Sequence, residues 1–499
     1  MSKSVKKAPL TQIKNAAVAP FRFRKLAGDR LLITNDSGAY ARLTAEELDA
    51  FLRGSLDPSS PLAAELEDKG FVLTPESEAR LIEQIRLRSE HLFQGPLLHI
   101  VITTLRCNQK CRYCHASRKG MSAGGWDMTP ETARKVVDVI FQSPSPRLTI
   151  EFQGGEPLVN FPVVRQIVED AYGRADATGR HVEFTLVSNL SLLDEEKLAF
   201  LVDNGVMICT SLDGPKPLHD KNRPMADGSS YDETLRWMGR INALYRERGM
   251  DPSLAYVNAL ATISRATLKD PKGLVDEYRK LGFKAIHLRP LNPFGFGEKV
   301  WAREGYSAEE FLAFYREALD YIVGLNKEGV EIQEKTASLF LTRILTAQNP
   351  NYMDLRSPCG AGIGQLAYNF DGRVYLCDEG RMVSAMGEDL FCIGHVGEQT
   401  YEEIIRHESV GSLCLASCLE CLPGCSDCAY NPYCGVCPVY NYQMQGDLFA
   451  VQPESERCRI QMGIQDMLFE LLLEGGPGML ELLERWTIER DRSQVYRRL

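Results

Sequence analysis

Apolar and polar positions alternate between two rhythms in the middle of this chain. Short runs rich in branched and aromatic residues occur at 97–104, 147–152, 181–188, 205–212, 255–263 and 285–289. Each reads as a strand. Between them, 129–141, 161–173, 193–203, 231–248 and 268–281 carry apolar residues at helical spacing. Strand and helix in turn predict a parallel sheet with covered faces over 97–330. Six strands are too few for a full eight-stranded barrel. In a doubly wound sheet or a barrel, the functional loops follow the C-terminal strand ends. The least ordinary residues stand there: CNQKCRYC, GGEP, SN, SLDG and RP.

The flanks follow other patterns. Residues 21–90 open with DRLLITNDSGAYARL, two apolar-rich segments around a turn-forming NDSG. TAEELDAFL follows with Thr44 as N-cap and Glu47 three positions on, a capping-box signature. PLAAELEDKGF predicts a second short helix ending near Gly70, and 76–93 a helical connector. A hairpin with two or three helices suggests a winged-helix-like unit; the plainer alternative is an extension packed on the core. Residues 345–460 lose the rhythm, and cysteine, glycine and proline dominate. Such a segment has little ordinary core and is best held together by metal. Helical character returns in the tail, 461–499.

Composition narrows the class. The 499 residues are 44% hydrophobic and 25% charged, the profile of an ordinary soluble protein. No apolar run has the length of a membrane span. The basic N-terminus lacks the apolar core of a secretory signal, so a cytoplasmic protein is expected. A net charge of -10 argues against a general nucleic-acid binder. The fifteen cysteines are unevenly placed. Three fall within 107–114 and eleven between Cys359 and Cys458, while Cys209 stands alone in an apolar stretch and reads as a buried inert thiol. Clustered thiols without an export signal read as metal ligands.

Cys107, Cys111 and Cys114 form a CxxxCxxC pattern just after a predicted strand. Three thiolates in one loop can hold three irons of a cubane and leave the fourth open. A zinc site completed by His115 or a distant thiol is the alternative. In GGEP, Gly154 and Gly155 allow close backbone approach before Pro157, and Glu156 adds a negative end suited to an ammonium. Asp213 sits at the mouth of the fourth strand. It is read either as a proton acceptor or as a cap of the Gly214–Pro215 turn. His219, Asp220 and Arg223 would clamp that loop or bind a peptide backbone. Arg265 could pair with a carboxylate or be solvated. His287 and Arg289 leave the sixth strand toward the same face, where Arg289 would orient a ligand.

CxxxCxxC and GGEP at the ends of successive strands resemble the radical S-adenosylmethionine (SAM) superfamily over about 97–300. That resemblance implies an α/β fold built on a partial (β/α)6 barrel. It implies a [4Fe–4S] cluster on Cys107, Cys111 and Cys114 whose open iron chelates SAM. The cluster's electron then releases a 5′-deoxyadenosyl radical that abstracts a substrate hydrogen. Tyr113 is implied in the adenine pocket, the GGEP residues at the SAM amino group, Ser188 and Asn189 at the ribose, and Ser211 and Arg289 facing SAM or substrate. A reducing donor such as flavodoxin or ferredoxin is implied as a partner.

Residues 359–458 resemble a SPASM domain, the C-terminal extension with auxiliary [4Fe–4S] clusters. Cys425, Cys428, Cys434 and Cys437 stand as C-x2-C-x5-C-x2-C, one residue short of the usual spacing before the last cysteine. The resemblance implies an outer cluster on Cys425, Cys428, Cys434 and Cys458 and an inner one on Cys359, Cys377 and Cys437. Cys392, Cys414, Cys418 and Cys421 are extra candidates for the inner cluster's fourth ligand, and a zinc-stabilised adaptor is the non-enzymatic alternative. Overall the chain is similar to the B-type maturase of the His-Xaa-Ser system. The implied substrate is a ribosomally synthesised precursor peptide, modified beside a second radical SAM maturase, with an intrapeptide crosslink as product. Anaerobic sulfatase maturases, which make formylglycine, share the same two domains. In maturases of this type the N-terminal unit often receives the leader by strand addition. Here Leu48, Phe51 and Leu52 form a helix face that would take its apolar side chains, or that simply packs.

Overall fold

The computed structural model describes residues 12–13, 16–26, 28–251, 257–346, 348, 350 and 352–489. The basic lead-in up to residue 11, the start of the expected strand at 255–256 and the last ten tail residues lie outside the described residues.

The middle of the chain forms strands Leu98–Thr104, Arg147–Gly154, His181–Val187, Val206–Ser211, Val257–Ile263 and Leu288–Pro290. Each pairs in parallel with the next in chain order. Helices Pro130–Ile140, Phe161–Thr178, Glu195–Asp203, Ser230–Glu247 and Pro271–Lys280 connect them. This is the expected partial α/β barrel. Its outer face is apolar: Leu148, Ile150 and Phe152 on the second strand are fully buried under the helices. Its inner face is polar, because Thr149, Glu151, Gln153, Thr185, Ser211 and Thr262 alternate with those buried residues and are only half-buried. Cys209 shares the inner face with Ser211. It is half-buried there, so the expectation of a fully buried thiol is corrected.

Two departures shape the mouth of the barrel. The sixth strand is broken at His287. Ala285–Ile286 pairs with Gln333–Glu334, and only Leu288–Pro290 continues the barrel. The cysteine-rich segment is also joined to the sheet. Gln365–Tyr368 pairs in parallel with the first barrel strand, and Arg373–Tyr375 and Cys392–His395 follow as antiparallel neighbours. One nine-stranded sheet thus runs from the barrel into the cysteine region.

Near the N-terminus, Arg22–Lys25, Arg30–Thr34 and Tyr40–Thr44 make a three-stranded antiparallel sheet. The turn is at Asn35–Gly38, where Gly38 takes a φ of 80° and donates its N–H to Asn35. The helix Ala45–Leu52 starts with the expected capping box between Thr44 and Glu47. Period two puts the two faces of this sheet to different uses. Ile33, Ala41 and Leu43 pack with Phe51, Leu66 and Phe71 in the unit's own small core. Leu32 and Tyr40 pack on the main core, Tyr40 against Phe469 of the helix Glu456–Glu474. Phe51 is therefore internal to the unit, Leu48 packs on the same core, and Leu52 is exposed. Among the described residues no helix is long and apolar enough to cross a membrane.

Candidate active site

The loop after the first barrel strand holds Cys107, Cys111 and Cys114. Backbone bonds close it at its base, from Cys107 N–H to Lys119 and from Lys119 N–H to Leu105. Two more, from Lys110 N–H to Pro224 and Arg112 N–H to Asn222, lash it to the segment after the fourth strand. N–H groups approach the sulfurs: Gln109 at 3.4 Å and Asn189 at 3.8 Å from Cys107, and Arg223 at 3.8 Å from Cys111. Burial pushes the Cys107 thiol up, helped by the nearby Glu156 carboxylate and the other two thiols. Burial likewise pushes Cys111 up to about 11, against the pull of Arg223.

GGEP is pressed directly onto this loop. Gly155 and Glu156 donate their N–H groups to Thr104 and Arg106. A Cβ on Gly154 would stand 2.1 Å from the Thr104 carbonyl, and one on Gly155 2.3 Å from that of Arg106. The glycines are thus required by close approach to the cysteine loop's own backbone. Gly155→Ala is expected to destabilise the fold by about 2–4 kcal/mol, since backbone must move to admit the methyl. Thermal unfolding of the purified variant checks this. Pro157 is buried at the start of the next helical turn.

Glu156, read as a negative end suited to an ammonium, already has partners within the protein. It is buried, and its carboxylate accepts from Leu158 N–H, Ser188 Oγ and Asn189 N–H at 2.8–3.0 Å. It ties the end of the second strand to the end of the third. Burial still pushes it above the usual carboxylate range. Asn189 in turn donates to Asn108 in the cysteine loop at 3.1 Å.

Asp213 is fully buried. Its carboxylate accepts from the Tyr113 hydroxyl and from Arg223 Nε at 3.2 Å, and the Thr262 N–H lies 3.4 Å away. Its own N–H donates to His219 Nδ1. Asp213 thereby joins the cysteine loop to the fourth and fifth strands. Arg223 also lies over the Tyr113 ring, 5.5 Å from its centroid. Asp220 accepts from Ser229, Ser230 and the Tyr231 N–H, holding the following turn.

Arg265 does not join this site. Its guanidinium bonds the Gly305 carbonyl and pairs with Glu310 at 2.9 Å, where both side chains are open to solvent. Arg289 faces inward, 3.8 Å from Glu379 of the cysteine region. Burial pulls His287 down to about 3, and His115 likewise, with Arg289 adding to the effect at both. His115 packs on Gly297, and its Nε2 is buried without a hydrogen-bond partner among the described residues.

Sequence reasoning missed Glu151 and Glu379. Glu151 lies on the inner barrel face, accepts from Thr185 Oγ1 at 3.1 Å and is pushed above the usual carboxylate range by burial. Strict alternation along RLTIEFQG places it there, and a polar residue on the inner face of a covered strand was the available signal. Glu379 follows Cys377 in a segment with no periodic pattern to read.

Seven of the remaining cysteines fall into two groups. Cys425, Cys428, Cys434, Cys437 and Cys458 line one cavity of about 310 Å³. Cys359 and Cys377 are buried, and their thiols interact with that of Cys437. Cys392 lies on the last strand of the sheet, Cys414 is half-buried, Cys418 is 3.3 Å from Glu420, and Cys421 is exposed. Among the described residues no three His, Cys, Asp or Glu side chains converge tightly enough for a single metal ion. A cubane takes its ligands around a wider shell. Two observations suit one: the donor sets are all thiol, and five cysteines line a single cavity.

Residues 101–252 match the family model of the Radical SAM superfamily. The chain carries a radical SAM domain. SAM-dependent catalysis is therefore its activity class, on an α/β barrel with a C-terminal cysteine-containing region of SPASM type. A curated relative, the cysteine-type anaerobic sulfatase-maturating enzyme of Clostridium novyi, is 23% identical over 343 residues, 66% of this chain and 83% of that protein. The solved structure of native anSMEcpe with bound AdoMet and Kp18Cys peptide superposes with a TM-score of 0.62 at 18% identity, covering 78% of this chain and all of that one. Streptococcus suis SuiB bound to its precursor peptide SuiA gives 0.51 at 13% identity, covering 87% and 98%. At these identities the solved structures establish the shared fold. The matched residues take in the cysteine loop and the barrel as far as its fourth strand.

Proposed function

We propose that this radical SAM enzyme modifies a side chain of a peptide or protein substrate at the barrel mouth, and that the reaction is an oxidation of the formylglycine type. The observation that carries the reading is the sequence match to the sulfatase-maturating enzyme over 66% of this chain and 83% of that protein. Intrapeptide crosslinking of a precursor peptide is the second reading. A precursor peptide as substrate is in line with the SuiB structure, which was solved with such a peptide bound and spans 87% of this chain. The narrower likeness to a His-Xaa-Ser maturase, a second maturase partner and a flavodoxin or ferredoxin donor belong to that second reading or to the class at large.

Cys107, Cys111 and Cys114 would hold the catalytic [4Fe–4S] cluster; Cys425, Cys428, Cys434 and Cys458 an outer one; and Cys359, Cys377 and Cys437 part of an inner one. Bound there, the cluster and SAM supply one-electron chemistry for hydrogen abstraction from the substrate. The chain's residues do the rest. The Glu156–Ser188–Asn189 knot fixes the floor on which SAM would rest. Ser211 and Arg289 project into the lumen beside it. Asp213, reached through the Tyr113 hydroxyl, would take up the proton that the substrate side chain loses. The polar inner face admits a solvated peptide segment, and Arg289 with Glu379 marks its far wall.

Tandem mass spectrometry of peptides incubated with reduced holoenzyme and SAM separates the readings. Suitable peptides are the small open reading frames beside the gene and a sulfatase-derived peptide carrying the target cysteine or serine. Fragment ions that place an aldehyde on one residue are the expected result. A fragmentation gap between two joined residues would transfer the assignment to crosslinking.

A further inference from the structure

The cavity that gathers Cys425, Cys428, Cys434 and Cys458 is not walled by the cysteine region alone. Phe23 and Arg24, from the edge strand of the N-terminal sheet, complete its lining. Arg24 is fixed in place there. It forks onto Asp466 through Nε at 2.8 Å and Nη2 at 2.7 Å, and lies over the Tyr430 ring at 5.2 Å. The Tyr430 hydroxyl donates to the same carboxylate. Neighbouring contacts pin the thiol-bearing segment to the same sheet. Arg22 Nε donates to Ser426 O at 2.5 Å, and Thr34 Oγ1 donates to Ala429 O at 2.7 Å. The segment between Cys425 and Tyr430 is thus held by residues some four hundred positions away.

We propose that Arg24 is the charge partner of the metal centre on Cys425, Cys428, Cys434 and Cys458, so that the N-terminal sheet sets that centre's reduction potential as well as covering it. This rests on the reading of the cavity as the outer auxiliary site. A cation beside a cluster stabilises the state that has gained an electron and so raises the potential. Asp466 has the opposite sign and restrains the effect. Arg24 is a positioning residue here, acting on the centre by charge and by its hold on Tyr430.

The test is a redox titration of anaerobically reconstituted full-length protein, followed by electron paramagnetic resonance. The outer signal is identified as the one lost in Cys434→Ala. Arg24→Gln is expected to shift the reduction equilibrium of that signal roughly tenfold toward the oxidised form, about 59 mV for one electron. Arg24→Lys should restore most of the shift. Asp466→Asn, which keeps the cation, should move the potential the other way. Arg30→Gln, which breaks the pairing of the same sheet with Glu474 outside the cavity lining, should leave it unmoved. If Arg24→Gln fails to retain the centre, the upward shift in Asp466→Asn carries the test. An outer signal whose potential ignores both substitutions overturns the inference while leaving the centre in place. Wild-type protein without that signal overturns the reading of the cavity, and the inference with it.

Discussion

Replacing Cys107, Cys111 and Cys114 together by alanine is expected to remove about four irons per chain, the content of one cubane, and to leave the absorbance of the remaining centres. The geometry predicts this separation. The three thiols lie on a single loop, tied by its backbone to Leu105, Asn222 and Pro224, and none of the cysteines beyond residue 358 belongs to it. The loop also owes its shape to bonds that the substitutions do not touch. Those are the closure onto Lys119 and the seat on Gly155 and Glu156. The variant should therefore fold, and iron analysis with visible absorbance reads the result. Loss of all iron would mean that the centres are assembled as one unit.

The second large effect is expected at Asp213. Asp213→Ala leaves the Arg223 guanidinium, only 12% exposed in its side chain, without its carboxylate. It also strips the Tyr113 hydroxyl of its acceptor. Removing one partner of a buried ion pair costs about 3–5 kcal/mol, because the surviving charge stays desolvated. Asp213→Asn keeps the shape and part of the hydrogen bonding, so its cost should be smaller while substrate turnover falls at least as far. Chemical denaturation of both variants, with turnover measured on the same preparations, checks the prediction. A neutral Asp213→Ala would show that Arg223 finds water.

Much of the barrel was legible because its physics is local. Leu148, Ile150 and Phe152 alternate with polar residues, and that period places a strand with one buried face. The capping box at Thr44 and Glu47 is equally local, and its reciprocal bonds appear as expected. What could not be read were partnerships between distant segments. Gln365–Tyr368 looks like a fragment among glycines and cysteines, and only pairing with Leu98–Thr104 makes it a strand. The break at His287 has the same origin, because Ala285–Ile286 finds Gln333–Glu334 instead of the barrel.

The candidate site shows the same division. The motifs located its loops, and the side-chain partners inside it were invisible. Glu156 reads as a negative end suited to an ammonium, and its bonds to Ser188 and Asn189 are invisible in the motif. Arg265 reads as an arginine paired with a carboxylate or solvated, and its partner Glu310, on a later helix, is invisible in the sequence. Phe51 reads as a receptor for a peptide side chain until Ile33, Leu43 and Phe71 close around it. A leader peptide therefore has no vacant apolar face on that helix apart from Leu52, and recognition by this unit would use an edge of its sheet.

The central claim is SAM-dependent radical chemistry on the Cys107, Cys111 and Cys114 loop. The most direct measurement is the 5′-deoxyadenosine released from SAM by chemically reduced holoenzyme, quantified by liquid chromatography and mass spectrometry. The account predicts clear release by the wild-type protein and none by the triple alanine variant at matched protein concentration. Equal release by the two proteins would contradict it.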